Sequence, residues 1–185
     1  MRFVPPVLRA AALAAILAAC GDDFQLPPAR AANVLDTASV FALSGTPIDA
    51  PSGYNLEFRS VVRTDQTAIF DFAFDITSAG DPILSPTGAL GLGRNSALQV
   101  APTSFDSITV APTGGWVLEA SVPADPGTEL LAQSRLTTCT FGANASYYAK
   151  LRVLAVDTAA RRVDFEILVN TNCGYRGLEP GLPTR

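Results

Sequence analysis

Histidine is absent from this 185-residue sequence, and its absence excludes more chemistry than any motif that is present. Imidazole is the side chain whose ordinary pKa lies nearest neutral pH, and it is a common metal ligand. Ser-His-Asp and Cys-His catalysis are therefore excluded, as are zinc sites that need histidine. Basic residues are few as well, because 13 Lys and Arg stand against 17 Asp and Glu. The net charge of −4 argues against a nucleic-acid partner.

The apolar run Ala10–Ala19 is too short for a transmembrane helix, which needs about 20 apolar residues. It follows Met1–Arg9, a stretch with two arginines and no acidic residue. A basic start followed by a short apolar run is typical of a secretory signal peptide. We therefore predict that residues 1–19 direct export.

The apolar run ends in Leu17-Ala18-Ala19-Cys20, with Gly21 next. This order resembles the lipobox of bacterial lipoproteins. The resemblance implies that the Cys20 thiol receives a diacylglyceryl group and that a signal peptidase cuts before Cys20. Acylation of the new amine would complete an anchor, since two or more acyl chains hold a protein stably on a membrane. The residue after Cys20 is Gly rather than Asp, and the resemblance then implies the outer membrane.

Residues 20–33 are predicted to form a lipidated tether between the membrane and the folded domain. Asp22 and Asp23 make its start polar, and Pro27-Pro28 stiffen it. Fully extended, it spans at most about 45 Å. Cleavage also removes Arg2 and Arg9, so the net charge of −4 would fall to −6 in the mature chain.

Three cysteines are present, and lipidation of Cys20 would leave Cys139 and Cys173 as an even pair. An even pair suits an oxidising, exported compartment. Their spacing is not C-x-x-C, and no βαβ pattern surrounds them, so a structural disulfide is favoured over a redox-active pair. Its contribution to stability would be about 3–4 kcal/mol in the chain-entropy model.

Residues 34–185 are predicted to form one mostly β domain, an antiparallel β-sandwich-like fold. Apolar and polar residues alternate in several short segments, and clusters of Pro and Gly separate them. Residues 78–97 are the least regular and are expected to be a long loop with a short strand or a helical turn inside it. The glycine-rich Gly88–Arg94 within them does not match the phosphate-binding order G-x-G-x-x-G. The candidate strands are Leu35–Leu43, Tyr54–Val62, Thr67–Thr77, Ser104–Val110, Gly115–Val122, Glu129–Leu136, Tyr147–Val156 and Arg161–Asn170.

The clearest alternation lies in Thr67–Thr77, where alternate phenylalanines predict a core face. Asp71 and Asp75 fall on the opposite face, which is expected to be wetted. Four residues along a strand separate them by about 13 Å, so the pair alone cannot chelate one metal ion.

The last two strands predict a hairpin with its turn at residues 157–160. Its charges are complementary: Lys150 and Arg152 on the first strand would face Asp164 and Glu166 on the second. Such cross-strand pairs help to set the register.

Three aromatic residues at strand ends are candidates for ligand binding: Trp116, Tyr147 and Tyr148. Exposed rings there can stack on a sugar or an apolar ligand. The alternative interpretation is that they plug the end of the sandwich core.

The sequence therefore predicts a lipid-anchored cell-envelope protein with a non-enzymatic structural or interaction role. It predicts no catalytic residue, no metal site and no cofactor. The expected partners are the membrane, through the lipid on Cys20, and an envelope protein or a glycan. A glycan- or apolar-ligand-binding module is the second hypothesis. A hydrolase that uses carboxylates alone is the third, and it requires two carboxylates about 5–10 Å apart in a cleft.

Overall fold

The computed structural model describes residues 27–139 and 144–184. These residues form a single mostly β domain in which two five-stranded antiparallel sheets pack face to face. The predicted sandwich-like fold is confirmed. The predicted signal peptide, the lipobox and residues 20–26 of the predicted tether lie outside the described residues.

The described strands are β1 Val34–Phe41, β2 Gly53–Asn55, β3 Ser60–Val62, β4 Phe72–Ile76, β5 Pro82–Pro86, β6 Ala97–Val100, β7 Val122–Pro123, β8 Glu129–Gln133, β9 Thr137–Thr138, β10 Asn144–Ala145, β11 Tyr148–Asp157 and β12 Arg162–Asn170. The first sheet has the strand order β1-β12-β11-β8-β6, and the second has the order β3-β2-β4-β5-β7. A separate two-stranded ribbon pairs β9 with β10, and a short 3₁₀ helix, η1, covers Phe105–Ser107.

Aromatic rings from both sheets fill the centre of the sandwich. Tyr54 stacks on Phe72 with their ring centroids 5.4 Å apart, and both rings meet the edge of Phe165 from the opposite sheet. All three side chains are buried. Contacts of this kind add about 0.5–1.5 kcal/mol per pair to the burial of apolar area. The alternation in the sequence therefore located the core correctly.

Several predicted strands are shorter or absent. Residues 54–62 form two strands, β2 and β3, joined by a turn in which the Asn55 side chain accepts the Phe58 N–H at 2.9 Å. The 104–110 segment is mostly irregular around η1, and within 115–122 only β7 and a bridge at Val117 remain. Residues 78–97 contain a short strand, β5, which is one of the two elements expected within this loop.

The predicted hairpin of the last two strands is confirmed as β11 and β12. Arg152 lies opposite Glu166 and forms an ion pair with it, as expected. The same register places Lys150 opposite Leu168. A bulge at Val153–Ala155, nearer the turn, then shifts the register and places Asp164 opposite Ala155. Lys150 therefore does not face Asp164, and that part of the predicted pairing is wrong.

A second apolar cluster covers the outer face of the first sheet. Residues 101–111 and the chain after β12 cross this face and are fastened to each other by a bridge between Val110 and Gly177. The cluster consists of Phe105, Ile108, Ala111, Leu131, Leu168 and Leu178. The first sheet is thus covered on both faces, which the local alternation of residues could not indicate.

The glycine-rich stretch forms a loop, as predicted. The Thr87 hydroxyl donates to the Gly93 carbonyl at 2.8 Å and accepts the Ser96 N–H at 3.2 Å. At Gly88 a Cβ atom would collide with the carbonyl oxygen of Leu118. Glycine is therefore required there by a close approach of two backbones, and no phosphate needs to be invoked.

Residues 27–33 lie against the domain. The Asn172 side chain accepts the N–H groups of Arg30 and Ala31 at 2.8 and 2.9 Å. The Tyr175 hydroxyl donates to the Pro27 carbonyl at 3.0 Å, and Asn33 pairs with Gly181.

We call this end of the sandwich, where β1 begins and β12 ends, the basal end. The opposite end, where the β11–β12 turn lies, is the distal end.

Candidate functional site

Two of the three predicted aromatics lie together. Trp116 and Tyr148 are half-buried on the outer face of the first sheet, with ring centroids 6.0 Å apart and planes tilted by 35°. The Arg176 guanidinium stands 5.7 Å from the Tyr148 ring. Both rings pack against the second apolar cluster, so they serve as its rim. What remains exposed of them is an aromatic surface beside a cation, which suits stacking on a flat ligand.

The third aromatic, Tyr147, points to the other face, because successive residues of a strand alternate. It packs against the main core and lines a cleft of about 320 Å³ at the basal end. The Cys139–Cys173 disulfide, with its Cα atoms 5.9 Å apart, forms one wall of this cleft. Burial raises the pKa of Tyr147. The three predicted aromatics therefore do not form one site.

A second cleft, of about 400 Å³, opens between the start of β1 and the turn after β2. Val34, Ile167 and Val169 give it apolar walls, and Asp36 and Arg59 stand at its polar side. The Tyr54 ring also lines it, and burial, with a smaller contribution from Asp36, raises the pKa of Tyr54 to about 12. Its phenol therefore stays protonated at neutral pH and can act only as a hydrogen-bonding group.

The alternation in the sequence places Asp71 on the wetted face, but in the structure this carboxylate is deeply buried. Its side chain is only 2% exposed and accepts the N–H groups of Leu56 at 2.7 Å and Arg135 at 3.1 Å. The predicted wetted position is therefore wrong for Asp71. The prediction of a wetted position holds for Asp75, which accepts a hydrogen bond from the Ser44 hydroxyl and pairs with Arg161 near the surface.

Arg135 completes this arrangement from the other side. Its guanidinium donates to the carbonyls of Ala68 at 3.1 Å and Phe70 at 2.6 Å, and its Nε lies 3.8 Å from Asp71. Burial raises the pKa of Asp71 and outweighs the lowering effect of its hydrogen bonds and of Arg135. The pair binds three backbone segments together and leaves no free carboxylate for chemistry.

Lys150, the only lysine of the sequence, is buried on the outer face beneath residues 105–108. Its Nζ donates to the carbonyls of Phe105 at 2.9 Å and Ile108 at 3.0 Å, and stands 4.5 Å from the Phe105 ring centroid. Burial lowers the pKa of Lys150, against the opposing charge of Asp106 and other carboxylates nearby. The lysine fastens η1 to the sheet.

Glu129 and Glu166 are two carboxylates that lie around one centre. They flank Arg152 on the neighbouring strands, and Arg152 forms an ion pair with each. A hydrolase needs one carboxyl to give a proton and another to attack or activate water. A single arginine lies between the two and forms an ion pair with each, so the arrangement is that of a cross-strand ion-pair ladder.

Three large apolar side chains near the basal end are exposed, and none of them was a candidate site residue from the sequence. Phe58 is 68% exposed, Ile69 52% and Leu136 70%. The Asn55 amide donates to the Ile69 carbonyl at 3.0 Å and its oxygen accepts the Phe58 N–H at 2.9 Å, so one side chain joins the backbones of these two residues. Arg135 bonds the carbonyls on both sides of Ile69 and precedes Leu136. We call Phe58, Ile69 and Leu136 the basal patch.

The sequence offered no signal for this patch. Phe58 and Leu136 fell inside predicted strands, where the alternation implied a packed neighbour. In the structure Phe58 lies in the turn between β2 and β3, and Leu136 lies beyond the end of β8.

Among the described residues, no group of three or more Asp, Glu or Cys side chains is placed to hold a metal ion. The same part of the chain contains no helix long and apolar enough to cross a bilayer. A scan against models of known protein families finds no match, and a search of curated proteins finds none either.

Proposed function

We propose that this chain is an exported cell-envelope lipoprotein, anchored to the outer membrane through lipid on Cys20, with a non-enzymatic structural or interaction role. The observation that carries the proposal is the pairing of Cys139 with Cys173. Disulfides form and persist outside the reducing cytosol. The third cysteine, Cys20, is the one that follows the apolar run in lipobox order.

The use of the buried charges supports a non-enzymatic role. Asp71 and Lys150 both form hydrogen bonds with backbone groups of neighbouring segments. Glu129 and Glu166 are both paired with Arg152. These groups stabilise the fold. Presenting an interaction surface is therefore the role that best suits such a rigid, anchored sandwich.

Replacing Cys20 with serine tests the anchor. We expect Cys20→Ser to abolish labelling by radioactive palmitate and to leave a precursor of full length, because no thiol remains to take the diacylglyceryl group. Labelling and electrophoresis of whole cells measure both effects. The double variant Cys139→Ser, Cys173→Ser is the matched control and should still be labelled. A labelled, membrane-bound Cys20→Ser product would contradict the proposal.

A glycan-binding module is the second candidate, and the adjacent Trp116 and Tyr148 rings are the observation that favours it. Stacking of a sugar on these rings would change the emission of Trp116, the only tryptophan in the sequence. We expect titration with soluble cell-wall oligosaccharides to shift this emission saturably. Removing the ring by Tyr148→Leu should weaken binding about tenfold, since stacking contacts are worth about 1 kcal/mol or more.

Tyr147→Phe is the control for that titration, because Tyr147 faces the opposite side of the sheet. It should leave the oligosaccharide affinity unchanged. An equal loss in both variants, or no emission change in the native protein, would remove the case for this second function.

A further inference from the structure

We propose that the basal patch, Phe58, Ile69 and Leu136, inserts into the surface of the bilayer that carries the anchor, so that the sandwich stands on the membrane in one orientation. This inference rests on the anchoring proposed above and names the surface that meets the lipid. The occupant is the interfacial region of a phospholipid bilayer.

The first argument is the nature of the patch. All three side chains are large, apolar and more than half exposed. They lie on turns and strand ends, and Asn55 and Arg135 hold the surrounding backbone in place. Single exposed apolar residues are common, but a cluster of them marks an interaction site. Projecting side chains on fixed turns can enter the headgroup region without any unfolding.

The second argument is the place where the described chain begins. Pro27 and Thr138 line the same basal cleft, and Thr138 is two residues from Leu136. The Thr137 hydroxyl lies 3.5 Å from a carboxylate oxygen of Glu57, the neighbour of Phe58. Six residues, 21–26, separate Cys20 from Pro27, and the seven Cα–Cα steps between them span at most about 24 Å when extended. An anchor on Cys20 therefore holds this end of the domain next to the bilayer.

The third argument is the distribution of charge. Exposed aspartates stand on the distal turns, among them Asp49, Asp81, Asp125 and Asp157. The arginines at that end, Arg161 and Arg162, are paired with Asp75 and Asp164. At the basal end, Arg59 is next to Phe58, and Arg94 and Arg135 share a cleft with Leu136. Carboxylates such as Asp36, Glu57 and Glu119 balance these arginines in the same region. An anionic membrane surface attracts cations and repels carboxylates, so it disfavours contact with the distal end.

Fluorescence quenching by brominated lipids tests the insertion. The chain from Cys20 to Arg185, which contains every described strand, carries Trp116→Phe to remove the native tryptophan. Phe58→Trp or Leu136→Trp then places one fluorophore in the patch. Ile48→Trp is the matched control, because Ile48 is 81% exposed but lies on the distal side of the sandwich.

Each variant is coupled through the Cys20 thiol to a maleimide phospholipid in vesicles of phosphatidylcholine and phosphatidylglycerol. Cys139 and Cys173 do not react because they are joined in the disulfide. Brominated acyl chains should reduce the emission of Phe58→Trp and Leu136→Trp at least about twofold, since interfacial side chains reach about 5–10 Å into the bilayer surface. The Ile48→Trp emission should not change, and added salt should not reverse the quenching.

Equal emission from the patch and control variants in brominated vesicles would overturn the proposal. So would a blue shift of Phe58→Trp emission that grows with protein concentration before coupling, because a second copy would then cover the patch. Chemical coupling makes this result independent of cellular lipidation. Failure of palmitate labelling at Cys20 would therefore refute the proposed function without being confused with failure of the patch to insert.

Discussion

Replacing Asp71 with alanine is expected to lower the free energy of unfolding by about 3–5 kcal/mol, the usual cost of removing one partner of a buried charged pair. The substitution leaves the backbone N–H groups of Leu56 and Arg135 without their acceptor. It also leaves the Arg135 guanidinium without its carboxylate. Since small domains are stable by only about 5–15 kcal/mol, urea denaturation should show a large fall in the midpoint.

Asp75→Ala is the matched control, four residues farther along the same segment. Asp75 is partly exposed and binds Ser44 and Arg161 at the surface, so its loss should cost only about 1 kcal/mol. Equal losses in the two variants would show that Asp71 is wetted, as the alternation alone predicts, and would contradict the buried network.

The same carboxylate predicts a pH dependence. Burial raises the pKa of Asp71 in the folded protein, so the folded state holds this proton more tightly than the unfolded chain does. The resulting contribution is fully present below the unfolded pKa of about 3.9 and is lost as the pH rises through the folded pKa.

Asp71→Asn removes this titration and nearly preserves the shape of the side chain. The stability of the native protein relative to Asp71→Asn should therefore be greatest in acid and decline towards neutral pH. Urea unfolding of both proteins at several pH values measures the difference. A relative stability that rises with pH would show that the hydrogen bonds and Arg135 outweigh burial.

Removal of the disulfide is the second large effect. The double variant Cys139→Ser, Cys173→Ser should lose about 3–4 kcal/mol, because the bridge closes a loop across 34 residues of sequence. The bridge also joins the end of β9 to the chain just after β12, so the basal cleft should loosen. Thermal and urea unfolding, with and without reductant, measure the loss.

Reductant should destabilise the native protein and leave the double variant unchanged. Thiol titration of the denatured, unlipidated mature chain should find one reactive group, that of Cys20, before reduction. Three reactive thiols, or an equal response of both proteins to reductant, would contradict a structural disulfide.

Much of the fold could be predicted from alternation alone. The β11–β12 hairpin was predicted to within one residue at each strand end, because both strands bury one face against the main core over nine or ten residues. The short strands were harder. Tyr54–Val62 divides into two strands because Asn55 forms a side-chain turn, and a two-residue strand such as β7 is too short to show a period.

The two buried charges could not be predicted because other segments cover them. Lys150 occupies the outer face of its strand, as the alternation indicates, but residues 101–111 cross that face and supply carbonyls to its ammonium. Asp71 is enclosed by residues 56 and 135, both remote in sequence. Polarity predicts exposure only when no irregular segment returns to cover the strand.

The candidate site was also predicted only in part, but for other reasons. Tyr147 and Tyr148 are neighbours in sequence, yet strand geometry sends them to opposite faces. The basal patch depends on where strands end, and strand ends are the least certain part of any prediction from alternation.

Residues 27–33 are docked on the domain. This docking limits how far the domain of an anchored molecule can move from the membrane. Six residues, 21–26, lie between Cys20 and Pro27, so the lipid proposed on Cys20 would confine the sandwich to a thin layer next to the bilayer. For a partner held in the same layer, short tethers raise the effective concentration of the two proteins to the millimolar range. A contact with a Kd below about 1 mM would therefore be more than half formed at the membrane, and binding assays on detached domains would understate it.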